Sequence, residues 1–339
     1  MSFANGHISR LGFWSPLVLV LSAIVVQGCA CGTSNPAPAE SSTPAPTTAP
    51  VAQVSPQSTF NSPDAAASAL VEAMRAGDTD QIRQILGPDS DNLIWSGDPV
   101  ADQQARQRFV AAYDKKHQIA INNDGSATLM VGDNDWPTPI PIVKSDQSPT
   151  WSFNTAAGKD EIINRRIGHN ELTVIQVCKA IVDAQQEYAH RDPDNDGIPE
   201  YARKFISDPG TKDGLYWETA EGEQPSPLGA LVAEAEANGY STQPPAEGEP
   251  HPFHGYLYRI ITAQGPNAPG GAMDYVINGK LIGGFAVVAW PADYGNSGIM
   301  TFIVNYSGDV YQSDLGPDTD KIARAMTAYD PGPDWKKAQ

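Results

Sequence analysis

The stretch Asp160 to His190 carries Ile163, Ile167, Val174, Cys178, Ile181 and Tyr188 at near-helical spacing. That period predicts one long helix, and a helix of such length organises whatever lies on either side of it. At 339 residues the chain has room for two modest domains besides a leader and a linker, since a domain typically spans about 100 to 200 residues. The long helix is expected to bridge them.

Ahead of it, residues 60–160 read as helices followed by strands. Ser62-Pro63-Asp64 offers a capping hydroxyl, a proline at the first helical position and an acid in the first turn, with Leu70 and Met74 on the buried face and Gly77 as the stop. Asp78 caps a second helix carrying Ile82, Ile85 and Leu86, closed by Gly87-Pro88. A third starts at Asp98-Pro99 and runs to about Lys116, with Ala105, Phe109, Ala112 and Tyr113 on one side. Strands are predicted at His117–Ile121, Ala127–Val131, Pro139–Val143 and Thr150–Phe153, the first two joined at Asn123-Asp124-Gly125. This element order resembles the nuclear-transport-factor-2-like fold, an α+β cone of helices on a curved antiparallel sheet. The resemblance implies a pocket, which Trp95, Trp136 and Trp151 are candidates to line.

Beyond the helix, residues 161–339 continue into a meander with strands at Tyr256–Ala263, Phe285–Trp290, Met300–Asn305 and Asp309–Gln312, the last pair turning at Tyr306-Ser307-Gly308. The predicted class is α+β throughout. The segments Ile167-Gly168-His169-Asn170-Glu171-Leu172, Asp213-Gly214-Leu215-Tyr216-Trp217, Ser226-Pro227-Leu228-Gly229, Ala268-Pro269-Gly270-Gly271-Ala272 and Gly283-Gly284-Phe285-Ala286 through Trp290-Pro291 resemble a bacterial exported family, domain of unknown function 2950. That resemblance implies a fold and export but no activity. More loosely, the helix ending Ala184-Gln185-Gln186-Glu187-Tyr188-Ala189 and the strands around Gly298–Phe302 and Ser307–Tyr311 are similar to type IV pilin and pseudopilin heads. The chain departs from pilins in preceding its head with a whole domain instead of a membrane helix.

At the other end, Arg10 leads into the apolar run Leu11–Val26, which closes on Gln27-Gly28-Cys29. The shape is that of a signal peptide, residues 1–28; the run is short for a membrane span, which needs about 20 apolar residues. Val26-Gln27-Gly28-Cys29 resembles the bacterial lipobox, so Cys29 is expected to be acylated and to hold the protein at a membrane, the outer membrane or cell surface in preference to the inner. Residues 29–59 are dominated by Pro, Ala, Ser and Thr and read as an unstructured tether.

The formal charge of −18 repels phosphate backbones, and the sequence shows no run of basic residues, which argues against nucleic acid as a partner. It is compatible with divalent cations. Asp192, Asp194 and Asp196 alternate, Gly197 follows and Glu200 completes a spacing that resembles calcium loops, in which a tight turn points carboxylates at one hard cation. Calcium is therefore the expected cofactor, although Arg203 stands where such loops often carry a glutamate and Pro193 and Pro199 flank the turn. His251 and His254 straddle Pro252, a loop pattern and not a zinc-binding helix face. No nucleophile elbow, phosphate loop or zinc-hydrolase helix is present. Cys178 is expected to be a buried thiol.

The reading these features favour is an envelope lipoprotein that acts by binding, as an accessory to another envelope protein or as a holder of a small ligand. The alternatives are a periplasmic enzyme using carboxylates such as Asp213 or Asp274, and a calcium-stiffened surface protein. A pocket with convergent polar groups, or a solid core with an exposed aromatic patch, separates them.

Overall fold

The computed structural model describes residues 56–193, 195–243 and 251–338. The leader, Cys29, all but the end of the tether, and Asp194 lie outside the described residues. The described residues belong to one compact unit, of α+β class. The chain is tied into it from Gln57, whose side-chain amide donates to Ile85 O at 3.0 Å and Phe153 O at 2.8 Å, slightly ahead of the expected boundary at residue 60.

Local chemistry sets the first helices. Helix α1 (Pro63–Ala76) is capped by the Ser62 hydroxyl, α2 (Thr79–Leu86) by the Asp78 carboxylate, and both stop at left-turning or extended glycines, Gly77 and Gly87. A turn of 3-10 helix at Pro88–Ser90 and the short α3 (Asp91–Ile94), neither foreseen, lead to α4 (Pro99–Lys115), capped by Asp98. The first sheet follows: β1 (His117–Ile121), β2 (Ala127–Val131), β3 (Trp136–Pro137), β4 (Ile142–Lys144) and β5 (Trp151–Phe153). It is antiparallel in the order β1-β2-β4-β5, with β3 also on β2. Alternation on β2 turns Ala127, Leu129 and Val131 inward, where they meet Ala66, Leu70 and Val71 of α1 and Ile82 and Ile85 of α2.

Helix α5 runs from Thr155 to Arg191, 37 residues, starting five residues before the position that hydrophobic spacing marks. The reason for the difference is that Thr155 and Gly158 are buried without being large and apolar, so they leave no mark on that spacing. Gly158 is required there, because a β-carbon on it would lie 2.3 Å from the Pro139 carbonyl oxygen.

The second core gathers on the C-terminal half of α5. After a two-stranded parallel pair, β6 (Lys204–Ile206) and β7 (Gly214–Tyr216), and α6 (Gly229–Ala237), come β8 (Tyr256–Ile261), the short strands β9 (Ala263–Gln264), β10 (Met273–Asp274), β11 (Val276–Ile277) and β12 (Lys280–Leu281), then β13 (Ala286–Pro291), β14 (Met300–Asn305), β15 (Val310–Asp314), α7 (Thr319–Ala325) and β16 (Lys336–Lys337). The main sheet is antiparallel in the order β16-β15-β14-β13-β8. Every residue of its inner strand β13 is buried, which explains an unbroken apolar run where alternation would mark a half-exposed strand; α5 and α7 both pack against it. The segment Gly214–Trp217 belongs to this core, with Leu215 fully buried and Trp217 set edge-on to Tyr188. Cys178 is a buried free thiol, which burial pushes up to about 12. No helix among the described residues is long and apolar enough to cross a membrane.

Candidate functional site

Helix α4 is unusual in what it buries. Of its 17 residues only Tyr113 and, unexpectedly, Asp102 are buried, while Ala105 on the small and apolar face is exposed. That face looks onto a cavity of about 750 Å³ enclosed by α1 to α5 and the first sheet. Such a volume falls in the range of about 300 to 1,000 Å³ typical of small-molecule sites. Leu70, Ile82, Leu86, Ile94, Leu129 and Phe153 form its buried interior. Arg108, Trp136, Arg165 and His169 line it where it opens to solvent. Trp136 is the one of the three expected tryptophans in the lining: Trp95 is exposed, and Trp151 packs against the first core while its backbone pairs with Phe60.

The wall is held by a buried carboxylate. Asp98 caps α4 with Oδ1, which accepts from Val100 N at 3.1 Å and Ala101 N at 3.0 Å, while Oδ2 accepts from the Tyr240 hydroxyl at 2.9 Å and Gly255 N at 2.8 Å. With both oxygens engaged, Asp98 is a structural anchor. One turn on, Asp102 faces the cavity and accepts from Ser96 N at 3.0 Å. Burial pushes its carboxyl above the ordinary range; the Ser96 hydrogen bonds and the Arg166 charge pull the other way, and Asp98 adds to the rise.

Four arginines line the cavity, Arg108 and Arg165 exposed at its mouth and Arg106 and Arg166 partly buried. Arg166 donates from Nη1 to Asn92 O at 2.8 Å and Asn296 Oδ1 at 2.6 Å, and from Nη2 to Leu93 O at 3.0 Å. Burial lowers its pKa, while the charges of Asp102 and Asp293 act against that, yet among the described residues no carboxylate pairs with it directly. Arg165 pairs with Glu161 at 2.7 Å and lies 5.2 Å from the Trp136 ring centre. Arg108 has one 3.3 Å contact, to Gln104 Oε1, and Arg106 has no partner among the described residues. His254, half-buried at positive φ, completes the lining, and burial lowers its pKa. This basic group forms although the sequence shows no run of basic residues. Arg106 and Arg108 come from α4 and Arg165 and Arg166 from α5, so folding assembles what the chain keeps apart.

The acidic loop is arranged differently. Asp192 ends α5 at positive φ; its Oδ2 accepts from Gly197 N at 2.8 Å and its Oδ1 is buried without a partner among the described residues. Asp196 accepts from Ile198 N at 2.9 Å. The Lys280 ammonium of β12 bonds Asp196 and lies 3.4 Å from Glu200, so the protein brings its own cation to two of the four expected ligands. Asp194 is outside the described residues. The two alternative catalytic acids lie away from the cavity. Asp213 is partly desolvated, which would raise its pKa, but hydrogen bonds from Lys204, Thr211 and Asp208 N hold it at about 2. Asp274 accepts from Val276 N in a turn.

Fold and site together define an α+β protein built around an apolar cavity with a basic mouth. The chain belongs to the family described as protein of unknown function DUF2950, whose model matches residues 57–338, both five-stranded sheets and the cavity included. No curated protein and no solved structure matches the chain. Two residues of the segment that carried the resemblance tie α5 to the loop before β14. Asn170 donates to Ser297 O at 2.9 Å, and Glu171 accepts from Ile299 N and Met300 N, both at 3.0 Å.

Proposed function

We propose that this is an exported envelope protein, anchored through an acylated Cys29, whose body works by holding a small ligand in the cavity beside α4. The observation that carries this reading is the cavity itself: about 750 Å³, apolar within and polar at its mouth. Binding is favoured over carboxylate catalysis because Asp102 is the one carboxylate among the described lining residues, its neighbour Asp98 being fully engaged by the protein. The membrane is the expected partner through the lipid, and the tether lets the body stand away from it.

The neutral fluorophore phenylnaphthylamine, which brightens in apolar surroundings, tests the reading on the full chain. One saturable site is expected in wild type and weakened binding in Ala105→Trp, which narrows the cavity from α4. Binding that survives Ala105→Trp unchanged, or no binding in wild type, overturns it. The anchor is read in the same cells: an alkyne-tagged fatty acid is expected to label wild type and not Cys29→Ser, and equal labelling of both refutes it.

A further inference from the structure

The cavity sorts its lining by depth and by charge. In a chain with 40 acidic and 22 basic residues, the lining reverses the balance, with four arginines to one acid. Three of them are free to meet an outside group. Arg106 has no partner among the described residues and Arg108 only a long contact to an amide. Arg166 is tied to neutral oxygens, with its Nε–H and one Nη2 hydrogen unused. Leaving a partly buried guanidinium without a directly paired counter-charge is costly, and an anion entering the site would offset that cost. Also in the lining, the Thr138 hydroxyl oxygen is buried without a hydrogen-bond partner among the described residues.

We propose that the cavity takes an amphiphile, with one aliphatic chain in the Leu70, Ile82, Leu129 and Phe153 interior and a compact anionic head between Arg106 and Arg108 on one lip and Arg165 and Arg166 on the other. The assignment rests on the cavity-binding reading. A wholly apolar ligand leaves the arginines unused, and a polyanion meets the repulsion of a chain at −18 outside the mouth. A single short anion attached to a buried tail avoids both. Guanidinium forks recognise carboxylate and phosphate alike, so the head belongs either to a free fatty acid or to a lysophospholipid of the membrane.

Displacement of bound phenylnaphthylamine from the full chain carrying Cys29→Ser, which has no acyl group of its own at that position to enter the cavity, tests this. Dodecanoate is expected to displace the probe at a concentration about tenfold below dodecanol. Replacing both Arg106 and Arg108 by Ala is expected to weaken dodecanoate by about tenfold and leave dodecanol unchanged. Arg106 makes no hydrogen bond among the described residues and Arg108 only the long one to Gln104, so the variant is expected to keep the fold, which continued probe binding verifies. Lysophosphatidylglycerol displacing better than dodecanoate assigns the membrane lipid as the source, and the reverse assigns the free acid. If dodecanol matches dodecanoate, or the double variant leaves dodecanoate unchanged while the probe still binds, the anionic class is refuted and the cavity reading stands. If the probe itself fails to bind, both fall.

Discussion

The Tyr240 hydroxyl donates to the Asp98 carboxylate at 2.9 Å across 142 residues of chain, in a place where Asp98 is fully buried. The same oxygen accepts from Gly255 N, so one side chain caps the helix that walls the cavity and fastens it to the segment leading into β8. Asp98→Ala removes the cap and leaves the Gly255 N–H unpaired, an expected loss of about 3 to 5 kcal/mol in urea unfolding. Asp98→Ser keeps the cap but not the link, and is expected to lose about half as much. Equal losses in the two variants would show that the cap alone matters.

Two glycines of α5 are expected to respond to alanine with opposite signs. At Gly168 a β-carbon meets nothing within 4 Å, so Gly168→Ala gains about 0.5 to 1 kcal/mol from helix propensity. At Gly158 the added carbon would lie 2.3 Å from Pro139 O and 2.6 Å from Ile140 N. Gly158→Ala therefore loses about 1 to 3 kcal/mol as the cavity wall shifts. Thermal melts of the two variants check this, and a gain at both positions would mean that α5 does not press on the Pro139 backbone.

Asp102 makes stability depend on pH in a defined direction. Burial raises its carboxyl above 3.8, with Ser96 and Arg166 opposing and Asp98 assisting. The folded state thus holds the proton more tightly than the unfolded chain. The cost of burying the charge is absent below the unfolded value, grows as pH rises from there through the folded pKa, and is complete above it. His169 and His254 also line the cavity, so the comparison is made with Asp102→Asn, which keeps an acceptor for Ser96 N and removes only this titration. The variant is expected to melt higher than wild type at pH 7 and to lose that advantage near pH 3. An advantage that is the same at both pH values would mean that the carboxyl is not perturbed.

At the acidic loop, Lys280 competes with any incoming cation for Asp196 and Glu200. Calorimetric titration of calcium is therefore expected to give weak binding in wild type and about tenfold tighter binding in Lys280→Met. No heat in either protein would dismiss calcium at this loop.

Much of the architecture is legible in the chain because local chemistry writes it. Ser62, Asp78 and Asp98 cap the helices they precede, and the strand at Met300–Asn305 coincides with its apolar pattern. The parallel pair β6 and β7 left no such trace, since strands of three residues are too short to show a period. The cavity is hidden for a different reason. Helical spacing places Ala105 and Phe109 on one face of α4, but periodicity cannot distinguish a face that meets a core from one that meets an empty space. Arg106 with Arg108, and Arg165 with Arg166, are unremarkable as separate pairs, and only the approach of α4 and α5 to a common space makes them a site.

Trp136 provides the most direct reading of that site, because it sits at the mouth with the Arg165 guanidinium over its ring. α-Bromododecanoate carries its quenching bromine next to the carboxylate, where the arginines would hold it. Titrated into the full chain carrying Cys29→Ser, it is expected to quench tryptophan fluorescence saturably at one ligand per chain, and Trp136→Phe is expected to remove most of that quenching. Quenching that is unaltered in Trp136→Phe, or that never saturates, would contradict a ligand held in this cavity with its head at the basic mouth.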